Sequence, residues 1–459
     1  MKFVLNVIQQ HKQSDLYKTA VIGDEYYRQL NTTITNHENM IRIATGEIIP
    51  DNMSPNHKMA SNFFNRFITQ LNQYLLGNGV TWGDKSTASK LGDDFDGKLQ
   101  KLGEAALSGN VAFGFWNRDH MEIFRVGSAA ADVPIFAPLL DEENDAVKSG
   151  VRYWRMAFDK PLRATLYELD GYTEYIYRNG QKGEILKPKT PYIEYSRTSE
   201  VSGTEIYNGE NYNGFPIIPL WGNPNKQAEI IGVRNAIDCY DLLKNGFAND
   251  LDTAQIYWLV HGAGGMDDFD LVEFLRRLAK NKVAAPLDGQ DVEAMTVNIP
   301  YEARERLLDR IEADLYKDFG ALNIDEIKGG AVTATQIEAA YEPLNTKADQ
   351  YEYCVLEFLK QLLKIAGIDG ENPTFTRSKL INTNESVQTV LLAAAQIDDD
   401  EYITRKILTI LGDGDKADEI IKERTAEDME RITVPQINPQ ETNEEGEEWT
   451  EGTNEQNRS

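Results

Sequence analysis

The feature that most constrains this chain is one long apolar seam. Ile337, Tyr341, Leu344, Ala348, Tyr351, Val355, Phe358, Leu362 and Ile365 alternate steps of four and three residues, a repeat held for about four heptads. Only a single long helix satisfies that spacing. Gly367 supplies its stop, because glycine takes the left-handed conformation that closes a helix. Pro343 falls inside the pattern and predicts a kink roughly one turn from the start. Ahead of the helix lie Asp325, Glu326, Ile327, Lys328, Gly329, Gly330, Ala331, Val332 and Thr333. Acidic residues, one lysine and paired glycines before so regular a helix predict a mobile loop on a rigid arm. On its own, an apolar stripe at this spacing is the inner face of a core helix.

Length and charge narrow the classes. At 459 residues, the chain has room for two or three domains. A net charge of −27 argues against a broad basic footprint for gripping nucleic acid. It leaves DNA open as a cargo, since a phosphate-repelling wall lets a duplex slide without sticking. No run is long enough to span a bilayer, and Met1–Asn6 is too short for a secretory signal. Cys239 and Cys354 sit on helical patterns rather than at disulfide spacings, which predicts a reducing, intracellular setting.

In chain order, helices are expected over Leu16–Leu30, Asn56–Leu76 and Phe95–Ser108. Met121–Leu220 reads as β-rich, with Asp170-Gly171 and Asn179-Gly180 as hairpin turns and Phe215–Trp221 as an edge strand because of its prolines. Gln227–Gln255 predicts a helix with two faces. Ile230, Val233, Ile237 and Tyr240 open its apolar stripe, while Asp238, Asp241, Asn245, Asn249 and Asp252 recur on a neighbouring polar face. Such a face is ordinarily solvated; its sharper reading is an acidic wall lining something. Strands at Ile256–Val260 and Val292–Ile299 bracket a short helix over Asp267–Lys280, and Pro300 opens another helix with its stripe at Leu308, Ile311, Leu315 and Phe319.

This order of parts resembles the portal proteins (head-to-tail connectors) of tailed double-stranded DNA bacteriophages. The resemblance rests on Asn65–Gly79 with its Tyr-Leu-Leu-Gly stop, on Ala106–Gly114, on Asn235–Asp241 through Ala248–Asp250, and on Gly329–Tyr341. It extends over Asn56–Ile368; the start of the long helix, Ala331–Ile337, departs from the family's usual pattern.

The resemblance implies an α+β portal fold, with wing, stem, clip and crown regions around a long kinked helix. The wing would comprise residues 1–226 with a strand within 368–385, and the stem helices 227–254 and 301–322. The clip would be 255–300, the tunnel loop 323–334, the long helix 335–367, the crown 386–432 and a disordered acidic tail 433–459. It further implies a homo-oligomeric ring, usually of twelve copies, that passes double-stranded DNA at one capsid vertex. The five polar stem residues would line the channel, the heptad seam would pack between subunits, and Lys328 with its loop would approach DNA. Asp267, Asp268, Arg276, Arg277 and Lys280 of the clip would dock the terminase and then the head-completion or tail adaptor. Major capsid and scaffolding proteins are the other implied partners. The implied location is the virion, and the host cytoplasm during assembly, with no membrane.

Catalytic patterns do not gather. His261–Gly265 lacks a following Gly-Lys-Ser/Thr, Asp398–Asp400 suits a helix start, and Asp413–Asp418 lacks the spacing of a calcium loop. Five histidines and two cysteines show no zinc-like spacing. No enzyme, metal or cofactor is expected. Two other classes stand beside the portal: a non-enzymatic intracellular scaffold built on long helices with no DNA passage, and a hydrolase, which lacks its constellation.

Overall fold

The computed structural model describes residues 1–42, 46–51, 54–141, 146–157, 160–178, 182–198, 205–253, 256–261, 291–296, 301–324, 334–370, 373–377, 390–391, 400–411, 417 and 420–423. The chain divides into two units, Met1–Lys379 and Leu380–Ser459.

The first unit opens with α1 (Lys2–Gln13), α2 (Asp15–Tyr27) and a single turn, α3 (Thr32–Thr35). Ser14 separates the first two by accepting from Tyr17 N, an ordinary N-cap. A small ribbon of β1 (Met40–Arg42) and β2 (Ile48–Pro50) follows, then α4 (Phe63–Leu76), β3 (Val80–Thr81), α5 (Lys85–Leu91) and α6 (Phe95–Gly109). Helix α4 starts later than the sequence pattern suggests. Met59 fits the spacing of its apolar stripe, yet residues 57–61 run without helix and Met59 is exposed.

The β-rich region becomes an eight-stranded sheet. Its strands are β4 (Val111–Asn117), β5 (His120–Arg125), β6 (Ile135–Leu140), β7 (Val147–Trp154), β8 (Leu162–Glu168), β9 (Gly171–Arg178), β10 (Lys182–Thr190) and, after a separate hairpin of β11 (Ile193–Thr198) and β12 (Glu205–Glu210), β13 (Ile217–Trp221). The order across the sheet is β10-β9-β8-β7-β6-β5-β4-β13. Neighbours are antiparallel except β5 and β6, which meet in parallel at Arg125 and Ile135. Although it lies within the β-rich stretch, β11 is not part of this sheet but pairs with β12.

The edge position of β13 follows from Pro219, paired with Phe113. Pro216 and Asn110 carbonyls accept from Trp116 and Gly222, so inward bonding falls on even-numbered residues of β13 and the missing donor of Pro219 faces outward. Alternate residues of the inner strands feed different cores. Phe113, Phe115, Phe124 and Phe136 join an aromatic cluster on one face, while Ala112, Ile218 and Leu220 join the main helical core on the other. Helix α1 packs through Val4, Val7 and Ile8 against residues of β6, β7, β8 and β9.

The main core gathers α4 and α6 with three further helices: α7 (Ile230–Thr253), α8 (Tyr301–Phe319) and α9 (Ala334–Ala366). Between α7 and α8, β14 (Ile256–His261) and β15 (Asp291–Thr296) pair antiparallel. The two helices run in opposite directions: Arg304 pairs with Asp250 at one end, and Lys347 lies over Phe319 while bonding Glu229 at 2.5 Å at the other.

The heptad seam forms α9, a 33-residue helix that contains Pro343 and ends at Gly367, φ +66°. Ile368 N donates to Leu363 O at 3.0 Å beyond that glycine, the six-to-one bond of a Schellman stop. Tyr341, Leu344, Ala348, Tyr351, Val355, Phe358 and Leu362 are all buried in the chain's own core. That corrects the expectation of inter-subunit packing: the seam is already covered within one copy. A two-residue strand, β16 (Thr374–Phe375), pairs with β3. In the second unit, Asp400–Leu411 forms α10.

Candidate functional site

The polar face of α7 does not open on empty space. It reads the backbone of residues 57–61, polar group by polar group. Asn249 Oδ1 accepts from His57 N at 2.8 Å; Asn245 Oδ1 accepts from Met59 N at 2.7 Å; Asp241 Oδ1 accepts from Ser61 N at 2.9 Å. Asn245 also donates through Nδ2 to Met59 O at 3.0 Å. Positions four apart on a helix rise about 6 Å, and alternate residues of an extended chain advance about 6.6 Å. A side chain on every fourth residue of α7 therefore meets every second peptide of the segment, which runs antiparallel to the helix. The same arithmetic explains why residues 57–61 are not helical. Their amides are taken by α7.

The ladder continues at both ends. Asp238 accepts from Thr33 Oγ1 at 2.9 Å and from the Tyr26 hydroxyl. Asn31 Nδ2 donates to Asp241 Oδ2 at 2.6 Å and to Ser61 O at 3.1 Å. At the far end His57 Nε2 lies 2.5 Å from Asp252 Oδ2. Asp241 is fully buried, and burial holds its carboxyl above the usual range against the opposing hydrogen bonds of Asn31 and Ser61 and the charge of Lys244. Burial, with the Asp238 hydrogen bond, likewise raises the Tyr26 phenol.

This placement corrects the channel-lining expectation for Asp241 and Asn245. Buried at 0% and 2% exposure, they face the chain's own N-terminal segment rather than a lumen. Asp238 and Asn249 are committed to the same ladder, and of the five only Asp252 keeps over half its side chain in solvent. The expected loop residues Asp325–Thr333 and the docking residues Asp267, Asp268, Arg276, Arg277 and Lys280 lie outside the described residues. Tyr26, Asn31, Thr33, His57 and Ser61 were not singled out by sequence reasoning. Their signal was on the partner side, in amides and acids recurring at every fourth position of α7, a spacing that suits an extended backbone as well as it suits water.

No helix among the described residues is long and apolar enough to cross a membrane.

Comparison with known proteins bears on the whole chain. The portal protein of Clostridium phage phiCD119 is 23% identical over 328 residues, covering 64% of this chain and 67% of that one. The portal protein of Bacillus phage SPP1 is 24% identical over 428 residues, covering 84% of this chain and 79% of its own. A chain in the solved structure "Neck of native GTA particle computed with C12 symmetry" is 11% identical with a TM-score of 0.41, covering 76% of this chain and 89% of that one. The family model described as "Phage portal protein, SPP1 Gp6-like" matches residues 6–456. With a match that runs almost from end to end, this chain belongs to the phage portal protein family.

Proposed function

We propose that this portal protein assembles as a ring of identical copies at one capsid vertex and forms the channel through which double-stranded DNA is packaged and ejected. The observation that carries the reading is the family match over residues 6–456. The antiparallel α7–α8 pair, joined at Asp250–Arg304, supports it as a two-helix wall. Portals of this family are structural, and the work of translocation belongs to the terminase. In this reading, residues 255–300, with Asp267, Asp268, Arg276, Arg277 and Lys280, dock that terminase and later the head-completion adaptor. Residues 325–333 present Lys328 to passing DNA, in a chain whose net charge of −27 otherwise repels phosphate.

Electron microscopy of the purified protein tests the ring. Class averages with rotational symmetry and an opening wide enough for a duplex are expected, alone or with scaffolding and capsid proteins. Absence of rings with all of those partners present would sink the reading. Proline at both Gly329 and Gly330 is expected to halt packaging while leaving ring formation intact.

A further inference from the structure

Helix α4 holds the chain on both sides of residues 325–333. On the departing side, α8 ends in a two-bond glycine cap. Gly320, at φ +76°, donates to Lys317 O at 3.1 Å, and Ala321 N donates to Tyr316 O at 2.9 Å. The next residue, Leu322, is buried, and both polar groups of its backbone are gripped by one side chain of α4. Leu322 N donates to Gln70 Oε1 at 2.9 Å, and Gln70 Nε2 donates to Leu322 O at 3.0 Å. On the arriving side, Tyr74 donates to Asn345 Oδ1 at 2.5 Å and stacks on Tyr341 with ring centroids 5.8 Å apart. Gln70 and Tyr74 are four residues apart, so they share one face of α4. Tyr74 also belongs to the main core beside Phe63, Phe67, Leu71 and Leu75, whereas Gln70 adds no hydrophobic side chain to it. An amide that spends both its groups on one peptide fixes position rather than filling space.

We propose that Gln70 and Tyr74 are positioning residues that hold the end of α8 and the body of α9 to one helix, α4, and so set the span across which residues 325–333 connect them. This rests on the ring-and-loop reading above. Leu322, three residues before the segment, and Asn345, twelve residues after it, are both bonded to α4, so a shift of α4 moves both together and loss of a tie loosens that flank. Gln70→Leu keeps the side chain's bulk and forfeits both bonds; Tyr74→Phe keeps the stacked ring and forfeits only the hydroxyl.

The test uses assembled rings carrying a nitroxide at Ala331→Cys in a Cys239→Ser background, together with DNA packaging into procapsids by the terminase. Gln70→Leu is expected to raise nitroxide mobility and to slow packaging by about five- to twenty-fivefold, the loss of two hydrogen bonds each worth up to about fivefold. Tyr74→Phe shifts both readouts the same way by less. Gln70→Glu gives a signature that a general packing defect does not: protonated, it again offers one donor and one acceptor. Nitroxide mobility in that variant is therefore expected to return toward wild type at about pH 5 and to stay high at about pH 8. Unchanged mobility and packaging in both Gln70→Leu and Tyr74→Phe overturn the proposal. Should Gln70→Leu fail to fold, Tyr74→Phe alone decides. Lys328→Ala and the Gly329→Pro, Gly330→Pro pair are measured beside them. If these leave packaging intact, the loop reading fails; if they stop it while the α4 variants do nothing, only the present inference fails.

Discussion

Asn245 shows how much one side chain can hold. It accepts from Met59 N, donates to Met59 O and to Asp241 O, and is 2% exposed. Alanine there leaves the peptide N–H and carbonyl of Met59 without their partner, while Asp241 O keeps its backbone bond within α7; a cost of about 1–3 kcal/mol is expected, and urea denaturation of the Asn245→Ala protein measures it. His11 carries a pH dependence. Buried against Tyr17 and Tyr153 and beside the charge of Lys12, its imidazole is pushed down to about 4 from the usual 6.5. A lowered folded value means that the unfolded chain takes up the proton first. Stability is then intact above pH 6.5 and lost as pH falls from 6.5 to about 4, by about 3 kcal/mol in all. His11→Phe should flatten that part of the melting-temperature profile. A variant as acid-labile as wild type would count against the assignment.

At the scale of elements, helices and strands were legible where one period dominated. The seam of α9, the helices α6 and α8, and the proline-marked edge strand all follow from spacing and stop residues. Three features were not legible, each for a physical reason. Helix α1 packs its apolar residues on a sheet face built from strands far along the sequence, so its short pattern carries little by itself. The start of α4 was misplaced because Met59 fits a helical stripe, while the amides that decide the matter are claimed by α7, which lies beyond residue 229. The polar face of α7 was read as facing a lumen because acids and amides look alike whether they bind water or backbone. Terminal signals were more dependable. Gly367 sits at φ +66° with open space where a Cβ would be, so Gly367→Ala tests the backbone cost alone. A loss of about 1 kcal/mol is expected in thermal melts, and no loss at all would mean that α9 does not need its glycine stop.

At the scale of the molecule, net charge bears on the proposed assembly. In the proposed ring, copies carrying −27 each would meet, and their repulsion would reach roughly 10 Å at 0.1 M salt. Sedimentation velocity should therefore show rings gaining over monomers as sodium chloride rises from about 20 to about 200 mM. A fall in ring content would point to interfaces dominated by paired charges instead. The buried seam of α9 leaves those interfaces to be built from other surfaces. The ladder between α7 and residues 57–61 also has a consequence in time. Its bonds join residues 180 to 192 apart in sequence. At ordinary rates of synthesis, the ribosome needs roughly 10–40 s to make that much chain. For that interval the segment around Met59 has been made but has nothing to lie on. The segment around Met59 settles only once α7 has been made, and α4 waits longer still, since Leu322 and Asn345 lie 252 and 271 residues beyond Gln70 and Tyr74.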